Sequence, residues 1–344
     1  MHANRPEHAC RLQPCHRTCW DGRTTAPHVN RNLLFTLLLV GVTVVWGWTF
    51  AVVKDAVAGY GVVSFLAIRF GLGALAMGPF AARGSTRASW AIGAGIGIVL
   101  AAGYLFQTFG IRTTTATNSG LITGLFVVFA PAWNRVLFGV RIPRVYWAAV
   151  VTSLVGLALL TSAGPLRPTV GDLLTLGCAI CFGAHIALLD RHAKGHSPAT
   201  LALAQLTTAA AIFGVTWPAV DPFRLPTEKV WQALVLTGVV ASAGGFYAQT
   251  AAQRKLPAIR TALILTLEPV FATFFGWLLA GDRLAALQWV GGGLMVAALL
   301  AASLHQPRVP AAPAGPVADV PPLDEPPLPR RDGLDVEAPP VLRE

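Results

Sequence analysis

The chain has 344 residues, of which only 12% are charged and 54% are apolar, with a mean hydropathy of +0.58. Soluble domains carry roughly 25% charged residues, so a chain this short of charge must take much of its solvent from lipid, which excludes an ordinary soluble fold. The net charge of +10 does not point to nucleic acid. The Arg and Lys residues stand singly or in pairs between apolar runs, with no basic helix to neutralise a row of phosphates.

Residues 1–32 form a polar, basic tail without hydrophobic periodicity, expected to be disordered. His8, Cys10, Cys15, His16 and Cys19 within it are residue types that zinc favours, but their spacing matches no zinc module, so neither metal nor cofactor is expected. The first apolar run, 33–53, follows that long tail and is too long for the apolar segment of a signal peptide, so it is read as a retained helix. Nine more runs follow at 60–82, 89–110, 115–138, 145–163, 170–189, 198–219, 230–252, 258–280 and 286–304. Each is roughly 20 residues, which at about 1.5 Å per residue crosses a hydrocarbon layer of about 30 Å. Backbone amides in lipid need internal partners, so the runs are predicted as helices, giving an all-α integral membrane fold with ten transmembrane helices. Cys178 and Cys181 share one face of the sixth helix and read as small packing residues. From residue 305 to 344 the chain becomes proline-rich and acidic, the composition of a disordered tail.

Basic residues orient the bundle. With the N-terminus in the cytoplasm, 19 Arg and Lys fall on the inner side and 6 on the outer, with Arg69 left inside the second helix. That bias places both termini inside the cell. An internal repeat is also readable, since residues 103–162 align without a gap on 245–304, so that Gly103, Gln107, Thr108 and Arg112 meet Gly245, Gln249, Thr250 and Arg254. A shift of 136 sets Trp46, Gly47, Lys54 and Arg69 opposite Phe182, Gly183, Asp190 and Gln205. Two halves follow, 33–163 and 164–304. Five helices is an odd number, so the second half enters the membrane from the opposite side, the inverted arrangement on which alternating access is usually built.

Polar groups deep in the membrane persist only for a reason. Seven acids lie between residues 33 and 304, and Glu268 alone is deep, about 15 Å from the start of the ninth helix. Arg69 reaches a similar depth, about 13.5 Å into the second. The two either form a structural ion pair or serve substrate and protons. Pro269 removes a helical hydrogen bond beside Glu268 and is a hinge candidate; Pro131 is its candidate counterpart in the fourth helix. Trp46 and Thr49 in the first helix, His185 at the position matching Thr49, and Gln205 at the position matching Arg69 are further candidates. Gln107, Gln249 and Asn118 either line a path or bond neighbouring helices.

Trp46-Gly47-Trp48-Thr49-Phe50 with Lys54, Phe65-Leu66-Ala67-Ile68-Arg69-Phe70, and Leu267-Glu268-Pro269-Val270-Phe271 leading to Gly281-Asp282-Arg283 resemble the EamA-type drug/metabolite transporters. The resemblance spans residues 33–304. It departs from the pattern at Val140 and at Asp282, where the family carries an acid and a glutamate respectively. The resemblance implies a non-enzymatic secondary transporter of the inner membrane that exports small metabolites such as amino acids, with protons as a candidate coupling ion. The central cavity is expected among helices 1, 2, 4, 6, 7 and 9. A membrane enzyme would need clustered His, Asp or Glu at one interface, which the sequence lacks; a non-transporting scaffold or sensor gives no reason for mid-membrane charge. Oligomeric state is not readable.

Overall fold

The computed structural model describes residues 31–81, 85–114, 116–161, 169–280 and 285–304. The two tails, the His8-to-Cys19 cluster, Asp282 and Arg283 lie outside the described residues. Among the described residues the chain is helical throughout and contains no strand.

The helices run in the order α1 (Arg31–Gly59), α2 (Val62–Ala81), α3 (Arg87–Thr113), α4 (Ala116–Thr123), α5 (Phe126–Phe138), α6 (Arg144–Thr161), α7 (Val170–His192), α8 (Pro198–Val220) and α9 (Glu228–Val235). A π-helical segment (Leu236–Gly244) leads into α10 (Gly245–Gln253), followed by α11 (Ala258–Leu265), α12 (Glu268–Ala280) and α13 (Ala286–Leu304). Among the described residues eight stretches are long and apolar enough to cross a membrane, and the shorter apolar helices Arg144–Leu159 and Ala286–Ala298 complete the pattern of ten. Three predicted spans are not single α-helices: the fourth divides into α4 and α5, the ninth into α11 and α12, and the eighth contains the π-helical segment.

The two divisions are the same event twice. In the fourth span the amide of Leu125 turns to the carbonyl of Ile122, three residues back, and 142 residues later the amide of Leu267 turns to that of Ile264. One tightened turn bends each helix at mid-span. The bend does not depend on proline, because Val127, at the position matching Pro269, has an amide and bonds Gly124. Pro269 has no such donor in the second half and sits in the first turn of α12, where no amide is needed. Pro131 lies inside α5, downstream of the bend.

Inverted symmetry organises the packing. Neighbouring elements are α2 with α8, α6 with α13, α1 with α12, and α5 with α7. The last two contacts are images of each other and rest on equivalent glycines. A methyl group on Gly47 would stand 2.8 Å from both the Ala272 amide nitrogen and Phe271 Cβ. One on Gly183 would stand 2.5 Å from Phe129 Cβ and 2.9 Å from the Ala130 amide nitrogen. Lipid tails are as apolar as leucine, so close approach through small residues, rather than water exclusion, drives such contacts. The bends meet as well, with Gly124 lying directly against the ring of Pro269.

Lys54 and Asp190, equivalent in the repeat, hold equivalent junctions with opposite charge. Lys54 donates to the carbonyls of Ile111 and Thr114 at the end of α3, as cations do at helix C-termini. Asp190 accepts the amide of Ala258 at the start of α11, as anions do at N-termini.

Candidate functional site

The bends and glycine contacts border a central cavity lined by residues from both halves. Eight of the candidate residues fall in or beside it. Trp46 and Thr49 come from α1, Arg69 from α2, Gln107 from α3, His185 from α7, Gln249 from α10, and Glu268 from the first residue of α12. Gln205 stands behind His185 and does not line the cavity. The Asn118 side chain lies outside the described residues.

Arg69 is 2% exposed and Glu268 5% exposed. Of the two alternatives the sequence left open, the ion pair is not seen: among the described residues none joins them. Arg69 Nε donates to Ser242 Oγ at 3.0 Å and Nη2 to Tyr104 Oη at 3.3 Å. The guanidinium lies 4.6 Å from the centre of the Tyr104 ring, a cation–π distance. Five N–H bonds on a guanidinium minus these two uses leaves donors facing the cavity. Glu268 has no hydrogen-bond partner among the described residues. It sits in the first turn of α12, where the helix end is partially positive. The equivalent residue of the first half is Phe126, so the carboxylate belongs to one half alone.

The remaining polar groups are held in defined directions. His185 Nε2 lies 2.7 Å from Gln205 Oε1, and Gln205 Nε2 donates to the Leu201 carbonyl at 3.1 Å. The amide is thus oriented with its oxygen toward the ring, so Nε2 carries the histidine proton and Nδ1 is left as an acceptor. Gln107 bonds Thr123 across to the fourth span. Gln249 donates to Gln253, which in turn donates to the Ile186 carbonyl, while Gln249 Oε1 is buried without a partner. Gln107 therefore both bonds a neighbouring span and lines the cavity, whereas Gln249 lines the cavity and reaches α7 only through Gln253. Thr49 spends its hydroxyl on the Trp46 carbonyl.

Four residues of the site were not singled out from the sequence as cavity candidates: Tyr104, Phe182, Phe246 and Ser242. Tyr104 packs edge-on against Phe70 and Phe182, with ring centres 5.0 and 5.2 Å apart, and Phe246 lies 5.3 Å from Trp46. Repeat symmetry was the available signal, because Tyr104 matches Phe246 and Phe182 matches Trp46. The glycines adjoining these pairs, Gly103 and Gly245, are seats for the aromatic rings: added methyl groups would meet Phe182 at 2.5 Å and Trp46 at 2.7 Å.

A two-repeat helical bundle with a shared, charged cavity accounts for what the chain resembles in full. The EamA-like transporter family matches residues 33–162 and again residues 169–304. The chain belongs to the EamA-like transporter family. A protein of Archaeoglobus fulgidus known as an uncharacterized transporter is 31% identical over 283 residues, covering 80% of this chain and 87% of its own. A solved structure, described only as the crystal structure of a protein, superposes with a TM-score of 0.67 at 18% identity over 79% of this chain and 97% of its own, a likeness of fold alone. This EamA-like transporter is thus a multi-pass membrane protein whose cargo is a small molecule.

Proposed function

We propose that the transporter exports small zwitterionic metabolites of the amino-acid class by alternating access, with both termini in the cytoplasm of an inner membrane. One observation supports this reading: Arg69 and Glu268 line one cavity and, among the described residues, form no ion pair with each other. A molecule with a carboxylate for the guanidinium and an ammonium for the carboxylate satisfies both, with Gln249 Oε1 and His185 Nδ1 as further acceptors and the aromatic rings as walls. Buried opposite charges left apart are costly, and a zwitterion of the right span removes that cost. When the cavity empties, a proton on Glu268 is the alternative way to relieve an unpartnered carboxylate, which couples export to proton movement in the other direction. Bends in the fourth and ninth spans, with Pro269 in one of them, serve as hinges.

Purified protein in proteoliposomes, tested for counterflow with each of the twenty labelled amino acids, checks the reading. Accumulation of at least one, absent in Arg69→Ala vesicles with equal inserted protein, is expected. Failure to move any of them would refute the substrate class.

A further inference from the structure

The two halves differ by one residue at a defined place. Thr86 caps α3 through the Ser89 amide, and Thr227 caps α9 through the Val230 amide, so the third and eighth spans begin alike. From Thr86 to Gly103 is 17 positions, and from Thr227 to the equivalent Gly245 is 18. The third span crosses this stretch as an unbroken α-helix, while the eighth absorbs the additional residue as the π-helical segment. Insertions of one residue into a helix are accommodated in this way, often at functional sites.

The consequence for hydrogen bonding is specific. The amide of Gly245 turns to the carbonyls of Ser242 and Val240, three and five residues back. The carbonyl an α-helix would give to that amide, that of Ala241, accepts the Trp46 indole at 2.8 Å. The next residue, Ser242, accepts Arg69 Nε. Gly238, earlier in the same segment, lies against the Arg69 carbonyl, where a methyl would stand 2.8 Å away. One widened turn therefore touches both the backbone and the side chain of Arg69 as well as Trp46.

We propose that the inserted residue of the eighth span is a positioning device: the π-helical segment aims Arg69 and Trp46 into the cavity through Ser242 and the Ala241 carbonyl. It rests on the reading of Arg69 as the group that meets the substrate. Ser242 is then a positioning residue for this transporter, acting through the guanidinium without contacting cargo.

Val239 and Val240 are 40% and 48% exposed on the lipid side of the segment, so deleting Val239 removes no cavity residue and returns the span to the length of its counterpart. The ¹⁵N spectra of detergent-solubilised protein report the geometry directly, with the Trp46 indole N–H assigned by its loss in Trp46→Phe and the Arg69 Nε–H by its loss in Arg69→Lys. In the deletion variant both signals should shift and exchange with deuterium at least about tenfold faster, the protein staying monodisperse. Two variants of native length guard against failure to insert. Gly245→Ala should release the indole signal, and Ser242→Ala the Arg69 signal alone. In counterflow, Ser242→Ala should raise the half-saturation concentration of a transported amino acid about tenfold, the worth of one charge-assisted bond, with the maximal rate within about twofold. Persistence of both N–H signals in the deletion variant, or in Gly245→Ala and Ser242→Ala, would overturn the proposal. Should no amino acid be moved by the wild type, the substrate class falls while the N–H signals still decide the positioning role.

Discussion

Gly47→Ala compared with Gly41→Ala separates helix packing from helix propensity within α1. At Gly41 nothing lies within 4 Å of the position a methyl would take, so alanine only gains the helical preference it holds over glycine, about 0.5–1 kcal/mol. At Gly47 the methyl meets the Ala272 nitrogen and Phe271 Cβ at 2.8 Å and the Glu268 carbonyl oxygen at 2.9 Å. None of these is the free end of a flexible side chain, so α1 and α12 must separate. Overpacking of that kind costs about 1–3 kcal/mol, and at about 2–4 °C per kcal/mol the expected loss is about 2–12 °C in Tm. Thermal unfolding in detergent measures both variants, with Gly41→Ala equal to or slightly above the wild type. Because the displaced turn carries Glu268, counterflow should fall in Gly47→Ala even below its Tm. Equal melting of the two variants would refute the packing of the first span on the ninth.

Arg69→Lys should lower counterflow at least about tenfold in inserted protein, because a point charge cannot hold Ser242 and Tyr104 while offering a fork to a carboxylate; wild-type rates would remove Arg69 from the site. Glu268→Gln should lower counterflow, because a neutral amide cannot pair the substrate ammonium, and the remaining flux, measured in sealed vesicles, should lose acceleration by an imposed pH gradient; an unchanged response would put the coupling elsewhere. Cysteines introduced at Arg87 and Arg254 in a background without native cysteines should resist impermeant thiol reagents in intact cells; labelling there would reverse the orientation. Lys229→Ala should lower Tm by no more than about 4 °C, because its 3.5 Å ion pair with Asp55 joins side chains 78% and 66% exposed, and such pairs contribute about 0–1 kcal/mol.

Apolar runs made the spans legible, since a lipid-exposed backbone has no alternative to the helix. The repeat was legible too, because Gly103 and Gly245, or Gly47 and Gly183, are retained where two helices touch. What could not be read is how each span departs from regularity. Ile264 to Leu267 contains neither proline nor glycine, so nothing in it announces a tightened turn, and in Ile122 to Leu125 Gly124 is the one weak helix former. The additional residue of the eighth span is invisible in composition, and shows only once Thr86 and Thr227 are seen to cap equivalent ends. Arg69 and Glu268 were identifiable because charge is rare at their depth. Their failure to pair was not, since it depends on Tyr104 and Ser242, an aromatic and a small hydroxyl that look like lipid-facing or packing residues in an apolar run.

The opposite charges at Lys54 and Asp190 have a kinetic meaning. Were the halves chemically identical, exchanging their conformations would interconvert two states of equal energy, and the molecule would have no resting side. An ammonium holding carbonyls at one junction and a carboxylate holding an amide at its image are not interchangeable, and neither are Glu268 and Phe126. The two end states of any such exchange therefore differ in free energy even with nothing bound and no gradient applied. Under the alternating access proposed above, the empty protein favours one side of the membrane, and the reorientation that carries it back is a step with its own rate.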